Sequence, residues 1–334
     1  MAGDSRIKAK DVALAAKVSV SAVSRTFTPG ASVSPDTRAR IIAVADALGY
    51  RPNALARGLT TRRTQLVGLV MLRAHTPFFG QFLGKLNKTL AAEGRRTLLL
   101  LIDSRSEADE ALEQALDYSV DGLIFVSSEP STDAAARAAR SAVPMVVMDR
   151  GAGAPTGSLV WTDGRAIGQQ VADVFIAEKR KRAVAVSGFS GHPQPRELSA
   201  FASAMQNATG CPVPIIQTGA TYEDGLALAN TLLTSDDPPD AIFTATDYLA
   251  IGIYDAARFA LGLTVPEQLS IVGLGDVPQT RWLSHAITTI RPPIDLMVKT
   301  AVELLVARID DPSIVPATCS IDAALVRRDT TLAV

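Results

Sequence analysis

Cysteine and histidine are scarce in this chain of 334 residues. Two cysteines, Cys211 and Cys319, give neither a disulfide framework nor a metal-ligand cluster, and they read as ordinary thiols of a reducing compartment. The three histidines, His75, His192 and His285, lie far apart in sequence in expected loops and fit surface or cleft positions better than a metal site. No apolar run approaches membrane-spanning length; Thr97–Ile102 and Leu123–Val126 are typical of those present. The first residues, Met1 to Lys8, hold no apolar segment of the secretory type, which predicts a cytoplasmic protein. Phosphate-cradling glycine loops are missing as well. There is no GxxxxGK[ST] and no GxGxxG after a strand, since Gly273-Leu-Gly275 is too short. Gly188-Phe-Ser190-Gly191 lacks the spacing of a nucleophile elbow. These absences argue against an enzyme and predict no cofactor and no metal.

What the chain does have is 47% hydrophobic and 20% charged residues, a globular composition at a length that suggests two or three domains. The net charge of −1 hides an uneven distribution. Residues 1–64 contain eleven Lys and Arg against four acids, a balance of +7, while the remaining 270 residues carry −8. A basic head on an acidic body is the footprint of an attached polyanion-binding module.

The head reads as helical throughout. A short helix over Lys10–Ala16 places Val12, Ala13 and Ala16 on one face, and Ser19 is placed to cap a second helix over Val20–Phe27. Val23 and Phe27, four residues apart, face Val12 and Ala16, which leaves Val20, Ser21 and Arg25 pointing outward. Ser34-Pro35-Asp36 starts a third helix, with Ile41, Ala45 and Leu48 as its buried stripe. Three short helices with a tight turn between the first two match a helix-turn-helix, and an exposed arginine there can bond guanine N7 and O6 in bidentate fashion. The competing reading is a helical interaction module without DNA.

Residues 52–64 form a polar connector. Asn53 can cap a helix to about Thr60, but a helix of that length is roughly half the ~12–15 residues at which isolated helices become even marginal. It is expected to form only when DNA or a second copy supplies contacts. Beyond it, short apolar strand runs alternate with amphipathic helices in two series, from Leu66 to Asp149 and from Gly164 to Leu274. Among them are strands over Leu66–Leu72, Gly122–Val126 and Val213–Gln217 and helices over Phe78–Glu93, Gly164–Lys179 and Tyr248–Leu261. That alternation predicts right-handed βαβ units and two doubly wound parallel-sheet lobes, an α/β body behind an all-α head.

Several blocks resemble the lactose repressor (LacI/GalR) family. In the head they are residues 10–13, 18–25, 33–38 and 48–57. In the body they are Val67–Val70, Pro77–Phe79, Val120–Ile124, Ala241–Phe243, Ala250–Gly252, Val265–Pro266, Ser270–Gly273 and Ile287–Ile290. The resemblance runs nearly the full length. It implies a homodimer, sometimes a tetramer, on a pseudo-palindromic operator, with a small-molecule effector, most commonly a carbohydrate, in a body like the two-lobed periplasmic sugar-binding proteins. The corresponding domains are 1–51 for the DNA-binding head, 52–64 for the hinge and 65–334 for the effector-binding body. Within the body, the first lobe takes about 65–160 and 291–318, and the second about 161–290 and 319–334. The DNA-binding residues are then Ser19, Val20, Ser21 and Arg25 in the head, with Asn53, Ala56 and Leu59 in the hinge, where Leu59 matches a leucine that wedges a minor-groove base step.

Ligands of doubly wound lobes bind at the carboxyl ends of strands. Residues so placed are Phe78, Phe79, Arg150, Asp163, Thr246, Asp247 and Asp276, and the resemblance to the family adds Arg196 and Glu197. The two phenylalanines fit a stacking surface and a core position equally, and a polar residue at a strand end can serve only as a helix cap. Three departures from the family pattern stand out. Lys17 occupies a turn position where the family often has glycine. Glu197 stands where an effector-binding arginine usually sits, with Arg196 one position off. Gly275 stands at the usual effector carboxylate, with Asp276 next to it. Either Arg196 and Asp276 take over these roles, or the effector differs in charge from the family's common sugars.

Overall fold

The computed structural model describes residues 7–28, 30–51, 63–72, 77–148, 157–188 and 195–333; of residues 77–79 and 105 only the backbone is described. The chain divides into two units, Met1–Gln65 and Leu66–Val334.

In the first unit, α1 (Ala9–Ala15), α2 (Val20–Thr26) and α3 (Pro35–Leu48) are short helices, each fixed by its ends. Asp11 reaches back to the Lys8 amide, the Ser19 Oγ accepts from the Ala22 amide at 3.2 Å, and Ser34 caps α3 ahead of Pro35. Such caps each contribute about 0.5–2 kcal/mol, which matters for helices too short to stand alone. Val12, Ala13, Ala16, Val23, Ile41 and Ala45 form the buried core, with Phe27 and Tyr50 packed on it. Leu48, expected in the buried stripe, is instead exposed. The helix ends there: Gly49 turns left-handed at φ 67° and brings Tyr50 back over the core, its amide on the Ala45 carbonyl. Lys17 is exposed and also left-handed, at φ 54°, so the turn asks for the conformation glycine adopts without strain.

The second unit contains two six-stranded sheets. The first has the order β11-β5-β4-β3-β1-β2 and is parallel throughout. It is built from β1 (Leu66–Leu72), β2 (Arg96–Ile102), β3 (Gly122–Val126), β4 (Met145–Met148), β5 (Ser158–Trp161) and β11 (Thr318–Ser320). Its helices are α4 (Pro77–Ala92), α5 (Ala108–Asp117), α6 (Thr132–Arg140) and α11 (Ile294–Asp310). The second sheet, β12-β10-β9-β8-β6-β7, is parallel except for β12. It comprises β6 (Ala183–Ser187), β7 (Ile215–Gln217), β8 (Ala241–Thr244), β9 (Ser270–Leu274), β10 (Thr288–Arg291) and β12 (Ala324–Val326). Around it lie α7 (Gly164–Ala177), α8 (Arg196–Thr209), α9 (Tyr222–Leu232) and α10 (Asp247–Asp255). The continuous apolar runs of β3, β4 and β6 are buried along their whole length, as strands covered on both faces require.

The chain passes between the sheets three times: after Trp161, after Arg291 and after Ser320. The last passage differs from expectation. Cys319 and Ser320 pair with Val160 and Trp161 in the first sheet, and Cys319 and Ile321 pack on its core, so these residues do not belong to the second lobe. Two further differences have local causes. β7 begins at Ile215 rather than Val213 because Pro214 has no amide to donate. The helix expected over Tyr248–Leu261 starts one residue earlier and widens into a π turn over Ala256–Ala260.

Candidate functional site

Within the head, α2 presents a polar outer face. Val23 and Thr26 point inward, and Val20, Ser21 and Arg25 point to solvent. Ser19 and Ser21 share a hydroxyl hydrogen bond at 2.9 Å, and the Arg25 Nε donates to the Ser21 carbonyl at 3.3 Å. A rigid helix thus carries a fork of guanidinium donors with small side chains beside it, the combination that reads base edges in a major groove. Arg38, one of the basic residues counted in the head, is engaged elsewhere. Its guanidinium donates to the carbonyls of Thr26 and Ala31 and fastens α3 to the loop after α2. Asn53, Ala56 and Leu59 lie outside the described residues.

The body's candidates gather on the carboxyl edge of the second sheet, in two groups. The first surrounds the start of α7. Asp163 caps that helix through the Arg165 amide at 2.9 Å. Arg196, at the first position of α8, is exposed and stacks over the Trp161 ring at 5.9 Å. Glu197 lies half-buried against Gly164; a Cβ there would stand 3.1 Å from its carboxylate. Gly168 lets α7 and α8 touch, since a Cβ would come within 2.4 Å of the Glu197 carbonyl.

The second group lies at the ends of β8, β9 and β10. Thr246 caps α10, accepting from the Leu249 amide, and donates to the Ala220 carbonyl. Asp247 is 1% exposed. One of its oxygens accepts from the Thr289 hydroxyl at 2.6 Å and the other from the Val277 amide at 2.8 Å. Burial pushes its pKa up to about 6 against the pull of those two hydrogen bonds. Asp276, left-handed at φ 51°, turns its side chain into the protein. There it meets Arg328 on one oxygen and both Arg281 (2.8 Å) and Arg291 (2.5 Å) on the other. Burial alone would raise this carboxyl, but hydrogen bonds from the three arginines hold it below the usual range. Gly275, at φ 134°, has a backbone that L side chains rarely adopt. The acid one position away has both oxygens on arginines.

Arg150 lies outside the described residues, as do the side chains of Phe78 and Phe79, whose backbone forms the first turn of α4 after β1. Reading the sequence alone missed Trp161, Arg281, Arg291, Thr289, Arg328 and Ser128. At the carboxyl edge of the first sheet, the Trp161 Nε1 and the Ser128 Oγ are buried without a hydrogen-bond partner among the described residues. The signal for Arg291 was available, as the last residue of a short apolar run; Arg328 joins only through the fold.

Among the described residues, no helix is long and apolar enough to cross a membrane. Residues 8–53 match the lacI family of bacterial regulatory proteins, and residues 172–331 match the periplasmic binding protein-like domain. The transcriptional repressor PurR of Yersinia pestis is 30% identical over 330 residues, covering 96% of this chain and 95% of that protein. The ribose operon repressor of Haemophilus influenzae is 28% identical over 310 residues, covering 91% of this chain and 92% of that protein. Among solved structures, the lac repressor dimer bound to operator and the anti-inducer ONPF superimposes with a TM-score of 0.87 at 21% identity, covering 98% of this chain and 100% of that one. The complex of the transcriptional regulator CelR with cellobiose gives 0.69 at 26% identity, covering 97% and 100%. The chain belongs to the LacI family of bacterial regulatory proteins. It is a DNA-binding transcriptional regulator and not an enzyme.

Proposed function

We propose that the protein is a cytoplasmic repressor that binds a pseudo-palindromic operator as a homodimer and answers to a small-molecule effector held between its two lobes. The observation that carries the DNA reading is the outer face of α2, where Val20, Ser21 and Arg25 stand exposed on a helix anchored by Ser19. Arg25 reads a guanine, while Val20 and Ser21 meet a thymine methyl or a base edge. Asn53, Ala56 and Leu59 act at the minor groove as parts of a hinge over residues 52–64, between a head of 1–51 and an effector-binding body from 65 onward.

A second face supports the dimer. Phe259, Trp282 and Leu283 are large apolar side chains exposed on the second lobe, Leu283 completely so. Trp282 and Leu283 are neighbours in the chain, and a second copy that covered them would remove their apolar surface from water. The effector reading draws on the carboxyl-edge position of Asp163, Arg196, Glu197, Thr246, Asp247 and Asp276, and it assigns Phe78, Phe79 and Arg150 of the first lobe to the same ligand. The complex of CelR with cellobiose supports a small molecule as the effector.

Selection of bound sequences from a random duplex pool at near-physiological salt tests the operator reading. Recovery of one palindrome, together with a dimer mass in solution, is expected. Enrichment of no motif, or of an asymmetric half-site by a monomer, would overturn it.

A further inference from the structure

Binding a neutral sugar polyol calls for carboxylates that accept from its hydroxyls, and the ends of β8 and β9 offer none. Asp247 is buried with both oxygens taken, Asp276 has both oxygens on arginines, and Gly275 has no side chain to offer. Exposed charge at the ends of β9 and β10 has the opposite sign. The Arg281 side chain is 59% exposed and that of Arg291 48%, while Arg328 is nearly buried behind them. Three guanidinium groups converge on the single carboxylate of Asp276 and leave an excess of positive charge. Asp247, the next acid, is turned toward Thr289 and Val277 instead. Each guanidinium has five N–H donors in a planar fork, and one carboxylate has too few lone pairs to satisfy three of them.

Elsewhere on this edge, among the described residues, the Asp163 carboxylate is engaged as the cap of α7, and hydrogen-bond donors stand near it. Arg196 stands exposed over Trp161. The Trp161 Nε1 can only donate, and with the Ser128 Oγ it lies buried on the first sheet's carboxyl edge without a partner among the described residues. Glu197 does not reverse this balance, because its carboxylate is turned to the start of α7.

We infer that the effector is an acid, a carboxylate- or phosphate-bearing metabolite whose anionic group docks on Arg291 and Arg281. This rests on the reading that the effector binds between the lobes. The anion takes up the guanidinium donors that Asp276 leaves over, while Asp276 and Arg328 hold the two arginines in place. Arg291 is also the residue at which the chain leaves the second sheet for the first, so the anion is bound at a crossing point.

The test uses the full-length protein and a bacterial polar-metabolite extract, split by anion exchange at pH 7 into a neutral and an acidic pool. The acidic pool is expected to raise the thermal midpoint and the neutral pool to leave it unchanged. The acid isolated from that pool should bind Arg291→Gln about 10- to 100-fold more weakly, as loss of a charge-assisted hydrogen-bonding pair predicts, and Arg291→Lys should recover part of the loss. Circular dichroism checks that Arg291→Gln is folded, and Arg281→Gln, altered at the more exposed side chain, provides the second variant. A shift from the neutral pool alone overturns the acid and leaves the cleft reading intact. An acid that binds all variants equally overturns the assignment to Arg291 and Arg281. A shift from neither pool removes the cleft reading and the proposal with it.

Discussion

Replacing Asp247 by asparagine should make the body more stable than the native protein at neutral pH, and the advantage should vanish in acid. The carboxyl is buried, and its pKa stands at about 6 in place of 3.8. At 1.36 kcal/mol per unit, that difference corresponds to about 3 kcal/mol. The sign follows from proton binding: between the two values the folded state holds more protons than the unfolded state, so stability falls as pH rises. The penalty is absent below the unfolded pKa, reaches about half its size by pH 5 and is complete above the folded pKa. Asparagine carries no such penalty and can still accept from the Val277 amide while its NH2 faces the Thr289 hydroxyl, which can accept as well as donate. Urea unfolding from pH 4.5 to 7.5 measures the difference. Trp161 and Trp282 are the chain's two tryptophans, and both lie in the body, so fluorescence reports on that unit alone. The stability of the native protein relative to Asp247→Asn should decline from pH 4.5 to somewhat above pH 6 and then level off. A flat difference, or one that rises with pH, would show that the carboxylate is ionised at little cost and would refute the argument.

Arg25→Ala should reduce operator affinity by about 1–3 kcal/mol and random-duplex affinity much less; equal losses in parallel binding titrations would mean a phosphate contact. Lys17→Gly should stabilise the head by up to about 1 kcal/mol, because relief of about 1–2 kcal/mol of left-handed strain outweighs the extra freedom of the unfolded chain. Hydrogen exchange at Val12 and Val23 should slow accordingly, and faster exchange would contradict it. Gly168→Ala should destabilise the body by about 1–3 kcal/mol or more, since the new Cβ meets the backbone of Glu197 and Phe201 within 2.5 Å; an unchanged urea midpoint would show that α7 and α8 can part without cost.

How legible was this molecule in its sequence? The long apolar and amphipathic segments were read correctly because each carries its own period: β1, β3, α4 and α7 fall within a residue or two of their expected bounds. The strands lost were the short ones, β5, β10, β11 and β12, three or four residues each, which have too few residues for a period and exist because a neighbouring strand pairs with them. Caps were readable for the same local reason, as Ser19 and Ser34 show. The site was only half legible. Strand-end polar residues were found, but whether Asp276 faces a ligand or the interior depends on its backbone at φ 51° and on Arg328, more than fifty positions away. No spacing rule contains that pairing.

The three crossings between the sheets also set how a bound effector can act. A ligand shifts an equilibrium only through contacts that differ between its two states, and residues at the crossings are where lobe movement changes contacts most directly. Trp161 ends the strand before the first crossing and Arg291 ends the one before the second. Arg291 is followed by Pro292 and Pro293 and then by Ile294, the start of α11, which packs on the first lobe's core. Proline fixes φ, so two in succession leave few ways to absorb a displacement of Arg291, and the Ile294 amide is bonded back to the Pro292 carbonyl at 2.9 Å. A shift at the arginine therefore passes to α11 rather than dissipating in a loop. Replacing both prolines by glycine should leave effector affinity within about threefold, while the effector's influence on operator affinity falls from the usual 5- to 150-fold toward unity. Operator titrations with and without saturating effector measure that ratio. A ratio unchanged by the double substitution would place the transmission at another crossing.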